Sequence, residues 1–139
     1  MVMLPNRSMP ASSIIPVLAY PDVGAAIDWL GEAFGFSERW RAGNHRAQLC
    51  YGNGTIVVTE QSAPAGPQSL MVRVDDVAAH RDRAGRHGAR ILAEPADYPY
   101  GERQYTAQDP GGHRWTFSET IADVAPEDWG GTSKDGAIP

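Results

Sequence analysis

The sequence predicts an α+β fold of two tandem βαβββ modules, which we expect to form one curved mixed sheet of about eight strands around a concave groove. Two observations lead to this class. An apolar strand, an aspartate and a helix-like segment occur twice, with Asp22 and Asp76 at equivalent positions 54 residues apart. Three strand-like segments then follow each helix and are joined by glycine-rich hairpin turns.

The first module begins with an apolar strand at residues 14–20, where Pro16 lacks a backbone donor and indicates a sheet edge. Asp22 caps the following helix, which ends before Gly35. The apolar stripe of this helix has helical spacing and consists of Val23, Ala26, Ile27, Leu30 and Phe34. Three strands are then predicted at residues 37–42, 46–51 and 55–60.

The second module repeats this order, with a strand at residues 69–76, a helix capped by Asp76 over 77–89, and three further strands. Those strands are predicted at residues 90–95, 103–110 and 114–120. The organisation along the chain is therefore a flexible tail at 1–12, module one at 13–61, a linker at 62–67, module two at 68–121 and a second tail at 122–139.

Composition argues against several functional classes. The chain has 12 Lys and Arg against 17 Asp and Glu, a net charge of −5, so the basic face that a nucleic-acid binder needs is not expected. No apolar run approaches the roughly 20 residues of a membrane helix. The N-terminal residues contain no long apolar segment typical of a secretion signal, and Cys50 is the single cysteine. We therefore expect a cytoplasmic protein without membrane or nucleic-acid partners.

Three motifs carry a family resemblance. They are PDVGAAIDWLGEAFGF at 21–36, DDVAAHRDRAGRHGAR at 75–90 and GERQYTAQDPGGHRWTF at 101–117. With these motifs in register, residues 14–119 resemble the vicinal-oxygen-chelate superfamily, also called the glyoxalase/bleomycin-resistance/dioxygenase fold. The resemblance implies a ligand groove and a homodimer, and in the metal enzymes of the family a divalent cation held at four equivalent positions.

The metal positions that the resemblance implies are occupied here by poor ligands. In this sequence those positions correspond to Ile15, Val57, Ser69 and Thr116. Isoleucine and valine cannot bind a metal, and the hydroxyls of serine and threonine are weak ligands. Glu60 and Glu119, at matching strand ends, remain as metal candidates. We expect no cofactor, with a divalent metal as the alternative.

Strand alternation and aromatic loops supply candidates for ligand binding. On the last strand Thr116 is predicted to face the groove, with Trp115 and Phe117 toward the helices. Tyr98 and Tyr100 lie in the loop DYPYGE, which contains a proline and a glycine. Such a loop often covers the entrance of a ligand groove. The complete set of predicted ligand-binding residues is Trp40, Gln48, Ser69, Arg73, Tyr98, Tyr100, Arg103, Tyr105 and Thr116.

Several of these candidates have a structural alternative. Trp40 is either a stacking platform or a core residue, and Arg73 is either a groove residue or a solvated charge at the rim. Arg103 either binds a ligand carboxylate or pairs with Glu102 or Glu94 at the surface.

Four histidines and one tryptophan complete the candidates. His45, beside a hairpin turn, is the only candidate general base. His80 and His87 are expected to face solvent, and His113 to stabilise its turn. A lone tryptophan in a tail usually packs on something, so we expect Trp129 to dock on its own domain or on a dimer partner.

Three functional hypotheses follow, and the simplest of them is a stress-associated domain whose groove is vestigial. The first is a metal-free protein that binds, and thereby sequesters, a small drug or metabolite as a homodimer. The acidic net charge mildly favours a cationic ligand. The alternative is a metal-dependent lyase, isomerase or dioxygenase of the same superfamily.

Overall fold

The computed structural model describes residues 4–61 and 66–134. The chain divides into two compact units with a boundary between Gly66 and Pro67. The predicted linker at 62–67 falls largely on residues 62–65, which lie outside the described residues, as do 1–3 and 135–139 of the predicted tails. Within the described residues, no helix is long and apolar enough to cross a membrane.

The first unit contains one βαβββ module. Its elements are β1 Val17–Tyr20, α1 Val23–Trp29 with a π-helical continuation at Leu30–Phe34, β2 Ser37–Ala42, β3 Arg46–Tyr51 and β4 Gly54–Glu60. The sheet order is β1-β4-β3-β2, with β1 parallel to β4 and the remaining pairs antiparallel. Strand β1 is therefore at the sheet edge, the position that Pro16 predicts.

The second unit repeats this topology. Its elements are β5 Ser69–Arg73, α2 Val77–Arg86, β6 Arg90–Tyr98, β7 Glu102–Gln108, β8 Arg114–Thr120 and a 3₁₀ turn at Pro126–Asp128. The sheet order is β5-β8-β7-β6, again with one parallel pair. The α+β class and both modules are confirmed. Hydrogen bonding groups the described strands in two four-stranded sheets, where we expected one sheet of about eight strands.

Both helices begin where the two aspartates predict. The Asp22 carboxylate accepts the N–H of Ala25 at 3.0 Å, and the Asp76 carboxylate accepts that of Ala79 at the same distance. Each satisfies one of the free donors at a helix start. The α1 segment ends at Gly35, whose φ of 85° is readily adopted only by glycine.

Strand β1 is shorter than predicted. We expected it to start at residue 14, whereas regular pairing begins at Val17. The carbonyl of Pro16 accepts the N–H of Val57 at 2.9 Å, so the proline contributes an acceptor but no donor to the sheet. The missing donor accounts for the later start.

A buried carboxylate organises the D-P-G-G-H turn before β8. The side chain of Asp109 is 4% exposed and accepts the N–H groups of Gly111 and His113 and the indole N–H of Trp115, at 2.9, 3.0 and 2.9 Å. The imidazole Nδ1 of His113 in turn accepts the N–H of Gln68 at 2.9 Å, which joins the turn to the start of β5. The predicted turn role of His113 is thus explained by two hydrogen-bonded connections.

We expect Asp109→Ala to lower the free energy of unfolding by roughly 3 kcal/mol, because three N–H donors lose a charged acceptor in the interior. Denaturant unfolding measures this change. Asp123→Ala removes an exposed carboxylate instead, and we expect a change within about 0.5 kcal/mol. Equal effects of the two substitutions would contradict the role given to Asp109.

Candidate functional site

Each sheet has one face toward its helix and one face away from it, which we call the helix-free face. In the first module, Arg41 of β2 lies 4.0 Å from Asp28 of α1, which identifies the helix side of that strand. The row Val57, Gln48 and Trp40, whose residues are register partners, lies on the opposite face by strand alternation. The two predicted candidates of this module are therefore on the same helix-free face.

Gln48 and Trp40 are joined there by Arg39. The guanidinium of Arg39 donates to the Gln48 side-chain oxygen at 2.7 Å. Gln48 is only 2% exposed, whereas Trp40 is half-buried. A register shift between Glu38 and Trp40 puts Arg39 and Trp40 on the same side of β2, although they are consecutive residues. Sequence alternation assigns them to opposite faces, so it could not find Arg39.

These three side chains contact the N-terminal segment of the chain. Arg39 donates to the carbonyls of Arg7 and Met9 at 2.7 and 3.1 Å. The Trp40 indole and the Gln48 amide both donate to the carbonyl of Ser8, at 3.1 and 2.8 Å. This part of the predicted N-terminal tail therefore lies against the first helix-free face, while its flexibility stays a prediction.

The second helix-free face carries a polar network. The hydroxyl of Ser118 donates to Glu102 at 2.7 Å and accepts from Gln104 at 3.0 Å. Gln104 in turn accepts the hydroxyl of Tyr100 at 3.2 Å. Ser118 is 1% exposed, so its pairing removes the cost of a buried free hydroxyl. The predicted candidate Tyr100 is part of this network, whereas Glu102 and Gln104 were missed as ligand-binding candidates.

Three other predicted residues lie on the same face. The hydroxyl of Thr116 is 3.1 Å from that of Thr106. Arg73 is exposed and donates to Thr120 at 3.0 Å, which leaves its remaining N–H groups at the surface. Ser69 is exposed and pairs in register with Arg114. Strand alternation therefore predicted the common face of Ser69, Arg73 and Thr116.

An aromatic cluster lies at one end of the second module. Tyr98 and Tyr100 stack with ring centroids 5.5 Å apart, and Trp129 meets Tyr100 edge-on at 5.5 Å. Tyr98 is 40% and Trp129 45% exposed, so large parts of two rings are open to solvent. Trp129 docks on its own module, which was one of the two predicted alternatives.

Tyr105 and Arg103 lie on the helix side of the second sheet. Tyr105 is completely buried and stacks on Phe117, and its hydroxyl bonds to the imidazole of His80. The structure therefore does not bring Tyr105 to the helix-free face, because its register partner is Phe117. The ring of His80 lies 4.0 Å from that of Phe117, so the expectation that His80 faces solvent is wrong.

Arg103 pairs with a carboxylate that the sequence did not suggest. Its guanidinium donates to both oxygens of Asp97, at 2.6 and 3.2 Å, rather than to Glu102 or Glu94. Glu94 instead binds Arg81 of α2 at 2.6 Å. The hydrogen bond from Arg103 lowers the pKa of the Asp97 carboxyl.

His45, the candidate general base, lies at the exposed β2–β3 turn. Its Nδ1 atom is 3.0 Å from Glu60, and the side chains are 72% and 56% exposed. Glu60 follows Val58 on the helix side of β4, so the pair is not on the first helix-free face.

The side chains at the four positions where the resemblance implies metal ligands, including the weakly ligating hydroxyl of Ser69, do not fit a divalent cation. Ile15 and Val57 offer no donor atoms, and Thr116 is engaged with Thr106. Glu119 accepts the backbone N–H of Val77 at 2.9 Å and so supports the start of α2. Among residues 4–61 and 66–134, no group of three or more His, Cys, Asp or Glu side chains could hold a metal ion.

Two βαβββ modules, each with one parallel strand pair and a single helix, define the class of this protein. The chain belongs to the Glyoxalase/Bleomycin resistance protein/Dioxygenase superfamily, whose family model matches residues 14–117. The resemblance stated from the three motifs is confirmed.

Known proteins similar to this chain include solved structures and curated sequences. TioX from Micromonospora sp. ML1 is 34% identical, with 80% of this chain and 100% of that chain covered and a TM-score of 0.71. Lactoylglutathione lyase from Agrobacterium tumefaciens is 16% identical, and the match covers 79% of this chain and 94% of that chain with a TM-score of 0.65. This is a likeness of fold alone. An uncharacterized protein of Mycobacterium bovis is 25% identical over 130 residues, which cover 81% of this chain and 86% of that protein.

We expect a chain that ends at Ala125 to be less stable than the full chain by about 1–2 kcal/mol, because Tyr100 loses the ring of Trp129. Denaturant unfolding tests this expectation. The matched control ends at Lys134 and keeps Trp129. If both shortened chains unfold at the same denaturant concentration, docking of Trp129 contributes nothing to stability.

We expect Asp97→Asn to lower the melting temperature slightly at neutral pH. A carboxyl whose pKa is lowered by folding contributes stability above its unfolded-state pKa, and this contribution is lost as the pH falls through the folded-state pKa. The difference from the unsubstituted protein should therefore vanish in acid. Asp123→Asn, which removes the same charge, is the control, and a difference independent of pH would contradict the assignment.

Proposed function

We propose that the protein binds a small organic molecule on the helix-free faces of its sheets, without a divalent metal, and sequesters a drug or metabolite. The observation that carries this proposal is the chemistry of these faces. Where metal enzymes of the superfamily have ligands, this chain has Ile15, Val57, Ser69 and Thr116. The surrounding groups are hydrogen-bonding side chains and aromatic rings, which recognise shape and polarity rather than a metal.

The two modules offer different types of contact. Tyr98 and Trp129 provide exposed ring surface for stacking on a planar group. Arg39, Gln48 and Trp40 provide N–H donors, which residues 7–9 accept in this structure and which a ligand reaches by displacing that segment. A ligand with a flat unsaturated part fits the second module, and a ligand with hydrogen-bond acceptors fits the first.

The protein attracts such a ligand by its net charge over long distances and by its hydrogen-bond donors at contact distance. The net charge of −5 attracts cations over long distance, which supports a ligand with a positive group. This attraction is screened beyond about 8 Å at physiological ionic strength. The donors on the faces act at contact distance and favour acceptor oxygens. We therefore propose a ligand with acceptor oxygens near the protein and any positive charge directed to solvent.

We further propose that the protein is a homodimer, as the resemblance implies, and that it is cytoplasmic, as its single cysteine favours. Light scattering coupled to size exclusion measures the oligomeric state independently of any ligand. A monomer at micromolar concentration would contradict this part of the proposal while leaving ligand binding open to the test below.

We expect a thermal-shift screen of planar aromatic compounds, with neutral, cationic and acidic members, to give at least one stabilising ligand. At 100 times its dissociation constant a ligand that binds only the folded state adds about 2.7 kcal/mol to stability. The shift should fall in Trp40→Ala for a ligand on the first module and in Tyr98→Ala for a ligand on the second. His87→Ala, at the end of α2, is the control and should keep the full shift.

Elemental analysis of the purified protein distinguishes the two functional classes. We expect less than stoichiometric Zn, Ni, Fe or Mn, and the same ligand shift after dialysis against a chelator. One bound metal per chain, or a ligand shift that requires metal, would overturn the proposal in favour of a metal-dependent lyase, isomerase or dioxygenase. No stabilisation by any compound would contradict the binding function itself.

A further inference from the structure

The N-terminal segment forms a tight turn on the first helix-free face. The N–H of Met9 donates to the carbonyl of Asn6 at 3.1 Å, and the Asn6 side chain accepts the N–H of Ser8 at 3.0 Å. Closing the turn in this way uses the oxygens of Asn6 and leaves the carbonyls of the next three residues available. The segment is anchored farther along by Ser12, which donates to the carbonyl of Asn53 at 3.1 Å.

Side chains of the first module bind this turn through the carbonyl oxygens of the turn. Four hydrogen bonds from Arg39, Trp40 and Gln48 end on the carbonyl oxygens of residues 7–9, between 2.7 and 3.1 Å. The side chains of residues 7–9 are exposed. Because only main-chain oxygens accept these hydrogen bonds, the contact does not depend on the amino-acid sequence of the bound segment.

Two of the three donors are also joined to each other. Gln48 is 2% exposed, and its side-chain oxygen accepts from Arg39 at 2.7 Å. This contact orients the amide so that its N–H₂ group points to Ser8. In this conformation the amide is enclosed, and the carbonyl of Ser8 satisfies its N–H₂ group. The three side chains therefore direct their N–H groups at carbonyl oxygens of neighbouring residues.

We propose that Arg39, Trp40 and Gln48 form a binding site for peptide-like ligands with two or three neighbouring amide carbonyls, and that residues 7–9 of the chain occupy this site in competition with them. This inference rests on the proposed function, because it names the ligand class for one of the helix-free faces. The N-terminal segment thereby limits access to the site, and its removal should increase affinity for amide ligands.

The indole N–H signal of Trp40 in a ¹H–¹⁵N NMR spectrum reports on the site. The chain has four tryptophans, and Trp40→Phe assigns the signal. We compare the full chain with one that starts at Ser12, which keeps the anchor to Asn53. The Trp40 signal should move on truncation, while the other three indole signals stay in place and show that the fold is intact.

The probe is a synthetic peptide of residues 4–11, acetylated and amidated, added to the truncated chain. We expect it to return the Trp40 signal toward its position in the full chain. A peptide with Arg7 and Met9 replaced by alanine should bind within about twofold, because the contacts are to carbonyls. The full chain should bind the same peptide at least about tenfold more weakly, because its own segment competes.

Gln48→Glu tests the central donor, since it replaces an N–H₂ group by an oxygen at nearly constant shape. We expect the truncated chain with this substitution to bind the peptide about tenfold more weakly. Gln108→Glu, in the second module, is the matched control and should bind normally. Equal binding by both variants would overturn the assignment.

A full-length variant covers the case in which truncation unfolds the chain. Met9→Pro deletes the N–H that closes the turn, and we expect it to shift the Trp40 signal as truncation does. An unchanged signal in this variant, or no response of the truncated chain to excess peptide, would overturn the inference. Failure of this experiment leaves binding of other compounds in the thermal-shift screen intact, so the two proposals fail separately.

Discussion

Each four-stranded sheet has two faces but only one helix to cover them, and this constraint shapes the rest of both modules. On the helix side the sheets carry apolar and aromatic residues, such as Val58 in the first module and Phe117 in the second. On the other side they carry polar groups that are partly or fully buried. Buried polar groups must find hydrogen-bond partners, so the helix-free faces are where the sequence needs specific contacts.

The two modules meet this requirement differently. The second module pairs side chains with one another across β7 and β8, from Glu102 through Ser118 to Gln104. The first module uses carbonyl oxygens from a distant part of the same chain, which reach Gln48 and its neighbours. A network of neighbouring side chains is self-contained, whereas donors that depend on a separate segment can exchange that segment for another acceptor. This difference is why the first face carries the proposal of a peptide-like ligand.

Hydrogen bonds of this chain's own side chains hold the superfamily scaffold together. The turn built on Asp109 keeps the last strand in register with its neighbours, and the two helix caps keep the helices in place. None of these scaffold interactions requires a metal. Glu119, which supplies a carboxylate at a strand end, is used to support the start of α2. The fold therefore depends on residues other than Ile15, Val57, Ser69 and Thr116, where the resemblance implies metal ligands.

Sequence reasoning succeeded where the controlling interactions are local. Asp22 and Asp76 bond to N–H groups three residues away, and the alternation of β8 separates Thr116 from Phe117. Sequence reasoning failed where the position of a side chain depends on a distant part of the chain or on an irregular strand. Tyr105 shares a face with Arg103, as alternation requires, but only the register with β8 shows that this is the helix side. The burial of His80 could have been predicted from the sequence. Its spacing from Val77 and Ala84 places it on the buried side of α2.

By itself, the sequence determined the order of the elements, the helix starts, the hairpin turns and the family, because each depends on residues close together in the chain or on the repeat between the modules. Only the tertiary structure decided which polar groups meet. Arg39 reaches Arg7 across 32 positions, and it does so from a bulge that shifts the strand alternation by one residue. No periodic pattern reports such a bulge, since it depends on how β2 pairs with β3. The candidate site of the first module is for this reason a property of the folded chain.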